Sequence, residues 1–247
     1  YSSEEDFKNK FKLMCYLTPL AIGIFANSAV YENKPSGFLS YRAKVWQNTA
    51  RAGLPKIFLE NMDFEKYADF IIKFPLLFIE RNNSYHYGGD QTFKDFMEGN
   101  LQSKKSIPND KDLGLHLSTI FTEVRLKKYL EVRSIDECEW DCHCAGPAFY
   151  AGLIYGNLDE SLDVIKKWDR NEILNAYYDS PKKGLSTLIN NKTILEWGKI
   201  FYDISKDGLK KRKNLNSNNQ DETIFLKNIE NILNEKKTRA EKVLEKL

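Results

Sequence analysis

The sequence runs to 247 residues, enough to bury a substantial core, and its 42% hydrophobic and 29% charged content is that of an ordinary globular chain. Lysine and arginine number 37 against 35 acids, so the net charge of +2 offers no global field to draw the chain to nucleic acid or an anionic membrane. The longest apolar run, Leu17 to Ala26, is about half of what a bilayer span needs. No charged-then-apolar signal segment opens the chain, and cytoplasm is the default expectation.

Ser2-Ser3-Glu4-Glu5 places hydroxyls and then acids where a helix begins. Apolar residues then recur at helical spacing from Phe7 to Phe25, predicting one long helix with a kink at Pro19. Residues 33–37 (NKPSG) are a breaker cluster, and a second helix follows with Tyr41, Arg42 and Trp46. Phe64 to Phe74 reads as a helix ended by Pro75, and Leu76 to Glu80 as a short strand. Residues 92–97 and 113–121 are further helices, and Lys128 to Arg133 is the clearest strand. After it the pattern is helical at 147–156, 159–168, 170–178, 193–212, 222–234 and 238–246, with a solvated loop at 214–219. Lys210 to Lys213 form a basic run at a helix end, where cations suit the dipole. No repeat and no linker divides the chain.

Side chains alternate along 128–133 (KYLEVR). Leu130 and Val132 face packed helices, while Tyr129, Glu131 and Arg133 face the other way. An acid and an arginine on one strand face suit a nucleotide–metal site: the carboxylate gives oxygen to Mg²⁺ and the guanidinium steadies phosphate. Spacing alone favours a surface cross-strand ion pair, which stabilises little. Arg125 joins the same face if the strand begins that early.

The stretch EVRLKKYLEVRSID, with Trp140, Cys144 and Pro147-Ala148-Phe149 after it, resembles the FPEVRLKRYLEMRGAD block of the plant and proteobacterial glutamate–cysteine ligases. Other blocks resemble the same family in the right order: residues 25–28 (FANS), 34–35, 37–40 (GFLS) with Arg42 and Trp46, 64–69, 92–99, 208–212, 221–226 and 238–241. Many blocks at compatible spacing make the resemblance far more specific than any one motif. It implies an ATP- and Mg²⁺-dependent ligase of glutathione synthesis that joins the γ-carboxylate of glutamate to the amine of cysteine through a γ-glutamyl phosphate. Glu131 then falls on the family's metal ligand and Arg133 on its phosphate-binding arginine. Arg42 falls on the arginine that holds glutamate, with Trp46 closing the pocket and Arg125 beside substrate and ATP.

The fold so implied is α+β: an antiparallel curved sheet backed by helices, of the glutamine synthetase/guanido kinase-like carboxylate–amine ligase kind, with a helix-rich C-terminal part. Residues 1–247 are then one catalytic-domain fragment, the C-terminal half. Tyr1 aligns midway through the family, whose earlier half supplies more metal-binding acids and another arginine, so this half is expected to be inactive alone. Leu77 replaces a family tyrosine of the substrate pocket, which leaves open a different amine acceptor. A non-catalytic partial copy serving as a binding or regulatory subunit is the other alternative. The Asp-rich loop of the family is reduced to residues 47–53, and the hairpin disulfide of the plant enzymes would fall at Gly88 and Ser103, which excludes it here.

Cys138, Cys142, His143 and Cys144 crowd together, but their spacing is not that of a zinc finger or ribbon and gives no disulfide framework. His86 and His116 lack a partnered nucleophile, and no Gly-rich phosphate loop is present.

Overall fold

The computed structural model describes residues 1–101 and 107–247, so Ser103, one end of the disulfide considered above, lies outside the described residues. The chain opens with α1 (Glu4–Tyr16), capped by the Ser3 hydroxyl, which accepts from the Asp6 amide. Phe7, Phe11 and Met14 face the core from this helix. Leu17 closes it and α2 (Thr18–Ile24) starts at once with Pro19 in its first turn, where the missing N–H is not needed. The single kinked helix expected from the sequence is therefore two helices.

The breaker cluster forms a tight hairpin of β1 (Val30–Tyr31) and β2 (Lys34–Pro35), turned by Glu32 and Asn33, both at positive φ. Ser40 then caps α3 (Tyr41–Gln47), its hydroxyl accepting from the Ala43 amide. After β3 (Ala52–Gly53) come α4 (Phe64–Ile72) and a second hairpin, β4 (Phe78–Arg81) with β5 (Ser84–Tyr87), turned by Asn82 and Asn83. Capping boxes open α5 (Phe93–Met97) through Thr92 and Asp95, and α6 (Asp110–Ser118) through Asn109 and Asp112. The helix expected over 113–121 stops short: Phe121 belongs to β6 (Phe121–Thr122), which lies parallel to β3.

The strand that carried the sequence argument is half of a hairpin, β7 (Val124–Leu126) with β8 (Leu130–Val132), antiparallel and in a register that sets Arg125 opposite Glu131. Arg125 thus reaches the face of Glu131 from the neighbouring strand rather than by an extension of the same one. Downstream the chain is almost wholly helical. α7 (Ala145–Ala151) runs into a π turn over Gly152–Gly156, then α8 (Leu158–Ile165) and α9 (Arg170–Lys183). A hairpin absent from the sequence reading, β9 (Leu188–Ile189) and β10 (Lys192–Thr193), leads into α10 (Ile194–Arg212), α11 (Lys227–Glu235) and α12 (Arg239–Leu244).

The main core extends along the chain from Phe7 to Leu233 and includes Phe11, Leu20, Phe149, Tyr177 and Phe201, all fully buried; a satellite holds Leu76, Ile79, Phe93 and Phe96. The helical part packs closely enough for backbone to touch backbone. A Cβ at Gly208 would collide with the carbonyl of Gly152, and one at Gly156 with Gly208 itself. Mixed helices and small, mostly antiparallel strand pairs make the class α+β. No helix among the described residues is long and apolar enough to cross a membrane.

One expectation fails in the 138–144 segment. Cys138 and Cys142 form a disulfide, because a turn of 3-10 helix at residues 140–142 brings their Cα atoms to 6.1 Å. Cys144 stays free and exposed. Glu139, Asp141 and Cys142 converge; Arg239 pairs with both acids, and the Cys142 sulfur is committed to the disulfide.

Candidate active site

Three segments distant in sequence meet at one surface: α3, the end of the β3–β6 pair, and the β7–β8 hairpin. Hydrophobic alternation sets it up. Leu130 and Val132 pack against the main core, which turns Glu131 and Arg133 to the opposite face. Trp46 and Phe121 lie 5.6 Å apart at the centre and form an aromatic floor. The Arg133 guanidinium sits 5.4 Å from each ring, Arg125 is 5.5 Å from Phe121, and Arg42 is 6.0 Å from Trp46. All five residues singled out from the sequence (Arg42, Trp46, Arg125, Glu131 and Arg133) are therefore brought together.

Glu131 is the electrostatic centre. Arg125 donates to both of its oxygens, at 2.9 and 2.7 Å through Nη2, and Arg133 Nη1 donates at 2.7 Å. Lys127 Nζ stands 3.9 Å away. Burial alone pushes the Glu131 carboxyl up, but these hydrogen bonds outweigh it and hold it below the usual carboxylate range. Arg125 is almost fully buried and also donates to the Ile120 carbonyl, so its donors are committed within the chain. Arg133 is more open and leans over the rings. One carboxylate among three cations is a surface prepared for a polyanion.

Arg42 is held from the end of the same hairpin. Its Nη2 donates to the Arg133 carbonyl, and its Nη1 lies 3.9 Å from the Asp136 carboxylate. Glu123, whose carbonyl accepts from the Arg133 amide, is buried, its carboxylate accepting a 3.0 Å hydrogen bond from the Tyr177 hydroxyl. Burial pushes the Glu123 carboxyl above its ordinary range; Tyr177, Arg42 and Arg133 pull the other way without restoring it.

A family model described as glutamate-cysteine ligase family 2 matches residues 1–246. Glutamate–cysteine ligase B, chloroplastic, of Oryza sativa subsp. japonica is 36% identical over 250 residues, covering 99% of this chain and 49% of the rice protein. The chloroplastic glutamate–cysteine ligase of Solanum lycopersicum is 37% identical over 251 residues, covering 99% of this chain and 47% of its own length. That of Arabidopsis thaliana is 36% identical over 251 residues, with 99% and 47% covered. The chain belongs to the glutamate–cysteine ligase family. It spans about half the length of the curated relatives it matches.

The family relatives also correct the cytoplasmic expectation, because the rice, tomato and Arabidopsis proteins are all chloroplastic. That expectation rested on composition and on the opening residues, and an organelle address leaves no mark on the composition of the part that folds.

Phe121, Glu123, Asp136 and Tyr177 adjoin these residues in the candidate site and were not singled out from the sequence. Glu123 and Asp136 both lie inside the matched stretch EVRLKKYLEVRSID, and charge within an otherwise buried strand and turn was the available signal. Tyr177 carries none, since an aromatic at helical spacing reads simply as core. Leu77 is half-buried just before β4, its carbonyl accepting from the Gly88 amide.

Proposed function

We propose that this chain is the later half of the catalytic domain of a glutamate–cysteine ligase, and that it supplies the glutamate clamp and the phosphate-facing wall. The observation that carries this reading is the gathering of Arg42, Arg125, Glu131 and Arg133 on the Trp46–Phe121 floor in a member of that family. In the reaction proposed, ATP gives its γ-phosphoryl group to the γ-carboxylate of glutamate, releasing ADP. The cysteine amine then attacks the acyl phosphate, an amide bond forms, and phosphate and a proton leave. Both steps build negative charge on phosphoryl oxygens, which fixed cations stabilise without reorganising.

Arg133, more open than Arg125, faces the phosphates. Arg42 takes a carboxylate of glutamate, and Trp46 walls the pocket while keeping both arginines at the aromatic face. Arg125 acts through Glu131, bracing its carboxylate and adding charge behind it. Mg²⁺ is held in proteins by one or two carboxylates together with substrate phosphates. The Glu131 carboxylate would be one such ligand through lone pairs left beside its bonds to Arg125 and Arg133, and a bound ion would neutralise phosphate charge. The remaining ligands, on this reading, come from the earlier half of the enzyme, which also completes the curved carboxylate–amine ligase sheet of which the strand pairs here are parts.

The test is ADP release by the complete protein given glutamate, Mg-ATP and either cysteine or 2-aminobutyrate. Cysteine-dependent turnover is expected. Preference for the non-thiol amine would sink the cysteine assignment and point to Leu77, and absence of turnover with any amine would favour a non-catalytic partner role.

A further inference from the structure

Asp136 lies three residues past Arg133 and is nearly inaccessible, with 4% of its surface exposed. A buried carboxylate is costly unless donors surround it, and here they come from two remote segments. The Asn27 amide (2.9 Å) and the Ser28 hydroxyl (2.7 Å) donate to Oδ2, and the Ser40 hydroxyl (2.8 Å) donates to Oδ1. Each serine has a second duty. Ser28 Oγ accepts from the Arg42 amide and Ser40 Oγ accepts from the Ala43 amide, so both orient the first turn of α3. One carboxylate thus fastens the start of the Arg42 helix to the end of the Glu131–Arg133 strand.

The fourth contact differs from the others. Arg42 Nη1 stands 3.9 Å from Oδ1, within ionic reach but with no hydrogen bond to it, and makes none among the described residues. Nη2 meanwhile is tied to the Arg133 carbonyl. The guanidinium is thus aligned from two sides, with Nη1 buried against the Asp136 carboxylate and Nη2 on the Arg133 carbonyl.

We infer that Asp136 is a positioning residue: it sets the register between Arg42, the proposed glutamate clamp, and Glu131 with Arg133, the proposed phosphate wall. The inference rests on the function proposed above. Only a carboxylate serves at this position. It is acceptor-only, with room for all three donors and the arginine, whereas asparagine would set N–H groups against the Asn27 backbone N–H or the guanidinium.

Asp136→Asn and Ser28→Ala/Ser40→Ala in the complete protein test it with two readouts. In steady-state kinetics both variants should raise the KM for glutamate at least about tenfold and leave the KM for ATP within about twofold, because the Arg125–Glu131–Arg133 group is untouched. Equal effects on both substrates, or none, would overturn the inference, as would full rescue by Asp136→Ala. In amide hydrogen exchange, residues 40–47 of the variants should lose protection while 145–151 keep theirs. That second readout needs no activity. An inactive wild type with selective loosening of 40–47 would condemn the ligase reading but keep the positioning role; an active wild type with unchanged 40–47 would do the reverse.

Discussion

The helices from residue 145 onward and the seam where α3 meets the β7–β8 hairpin solve opposite problems. In the first, Gly152, Gly156 and Gly208 let two helices approach until backbone touches backbone, and large apolar side chains such as Phe149, Leu153 and Phe201 fill what is left. Its order comes from close packing and buried area. The seam has strands of only two or three residues and holds Glu123, Arg125, Glu131 and Asp136 in or near the interior. Burying charge opposes folding, and the Arg125–Glu131 pair, with the donors that Tyr177 gives Glu123 and Asn27, Ser28 and Ser40 give Asp136, offsets that cost. The helical region therefore stabilises the fold, and the seam draws on that stability to keep cations where solvent would not leave them.

The largest effect should separate the two regions by what they control. In the complete protein, Glu131→Gln and Arg133→Ala are each expected to cut ligase turnover at least about a hundredfold, from lost stabilisation of transition-state charge. Near-normal turnover in either would remove the seam from the chemistry. Gly208→Ala should act the other way round. Its methyl has no space against the Gly152 carbonyl, so the helices must part, at a cost of roughly 3 kcal/mol. For a chain of this size that lowers the melting temperature by about 6–12 °C, with the KM values of the folded fraction intact. Gly114→Ala is the control, since a Cβ there meets nothing within 4 Å and a helical alanine should stabilise slightly. If the two glycine variants melt alike, close backbone packing is not what the helical region depends on.

A smaller effect belongs to the segment joining the regions. Replacing Cys138 and Cys142 by serine removes a cross-link over a very short loop, expected to contribute on the order of 1–2 kcal/mol. Thiol labelling of the unreduced, folded chain should mark Cys144 quickly and leave Cys15, which is fully buried, unmarked. Rapid labelling of Cys138 or Cys142 without reductant would show that the bridge does not form in solution.

The uneven legibility of the sequence follows the same division. Periodicity located α4 and α10 closely because each buries one apolar stripe and carries a side-chain cap (Asp63 and Thr193). Strand alternation correctly turned Leu130 and Val132 inward and Glu131 outward. The two-residue strands β3, β6, β9 and β10 left too little pattern to read, and Phe121 was absorbed into a helix for that reason. The site residues already legible, Arg42 and Glu131 with Arg133 among them, owed their roles to the family resemblance, since spacing alone favoured a solvated helix face and a surface ion pair. Asp136 was not among them, because its meaning lies in Ser28 and Ser40, some hundred positions away, and no local spacing encodes that meeting.

The finest distinction is in the response to pH, where two buried groups outside the helical region should act with opposite sign. Glu123 is raised above its ordinary value near 4.5 by burial. Between that value and its folded pKa the native chain holds more protons than the unfolded one, so this group's contribution to stability falls as pH rises through the window. His116, stacked on Phe93 with Nε2 against the Ile71 carbonyl, is lowered from 6.5 by burial. Below 6.5 the unfolded chain holds the extra proton, so stability falls as pH drops towards the folded value. Glu123→Gln should therefore gain on the wild type as pH rises above about 4.5, and His116→Gln should gain as pH falls below about 6.5, both followed by melting temperature across the acid range. Parallel curves for Glu123→Gln and the wild type would mean that the carboxyl ionises in the fold as readily as in water. The seam would then hold at Glu123 a carboxyl whose ionisation burial does not oppose.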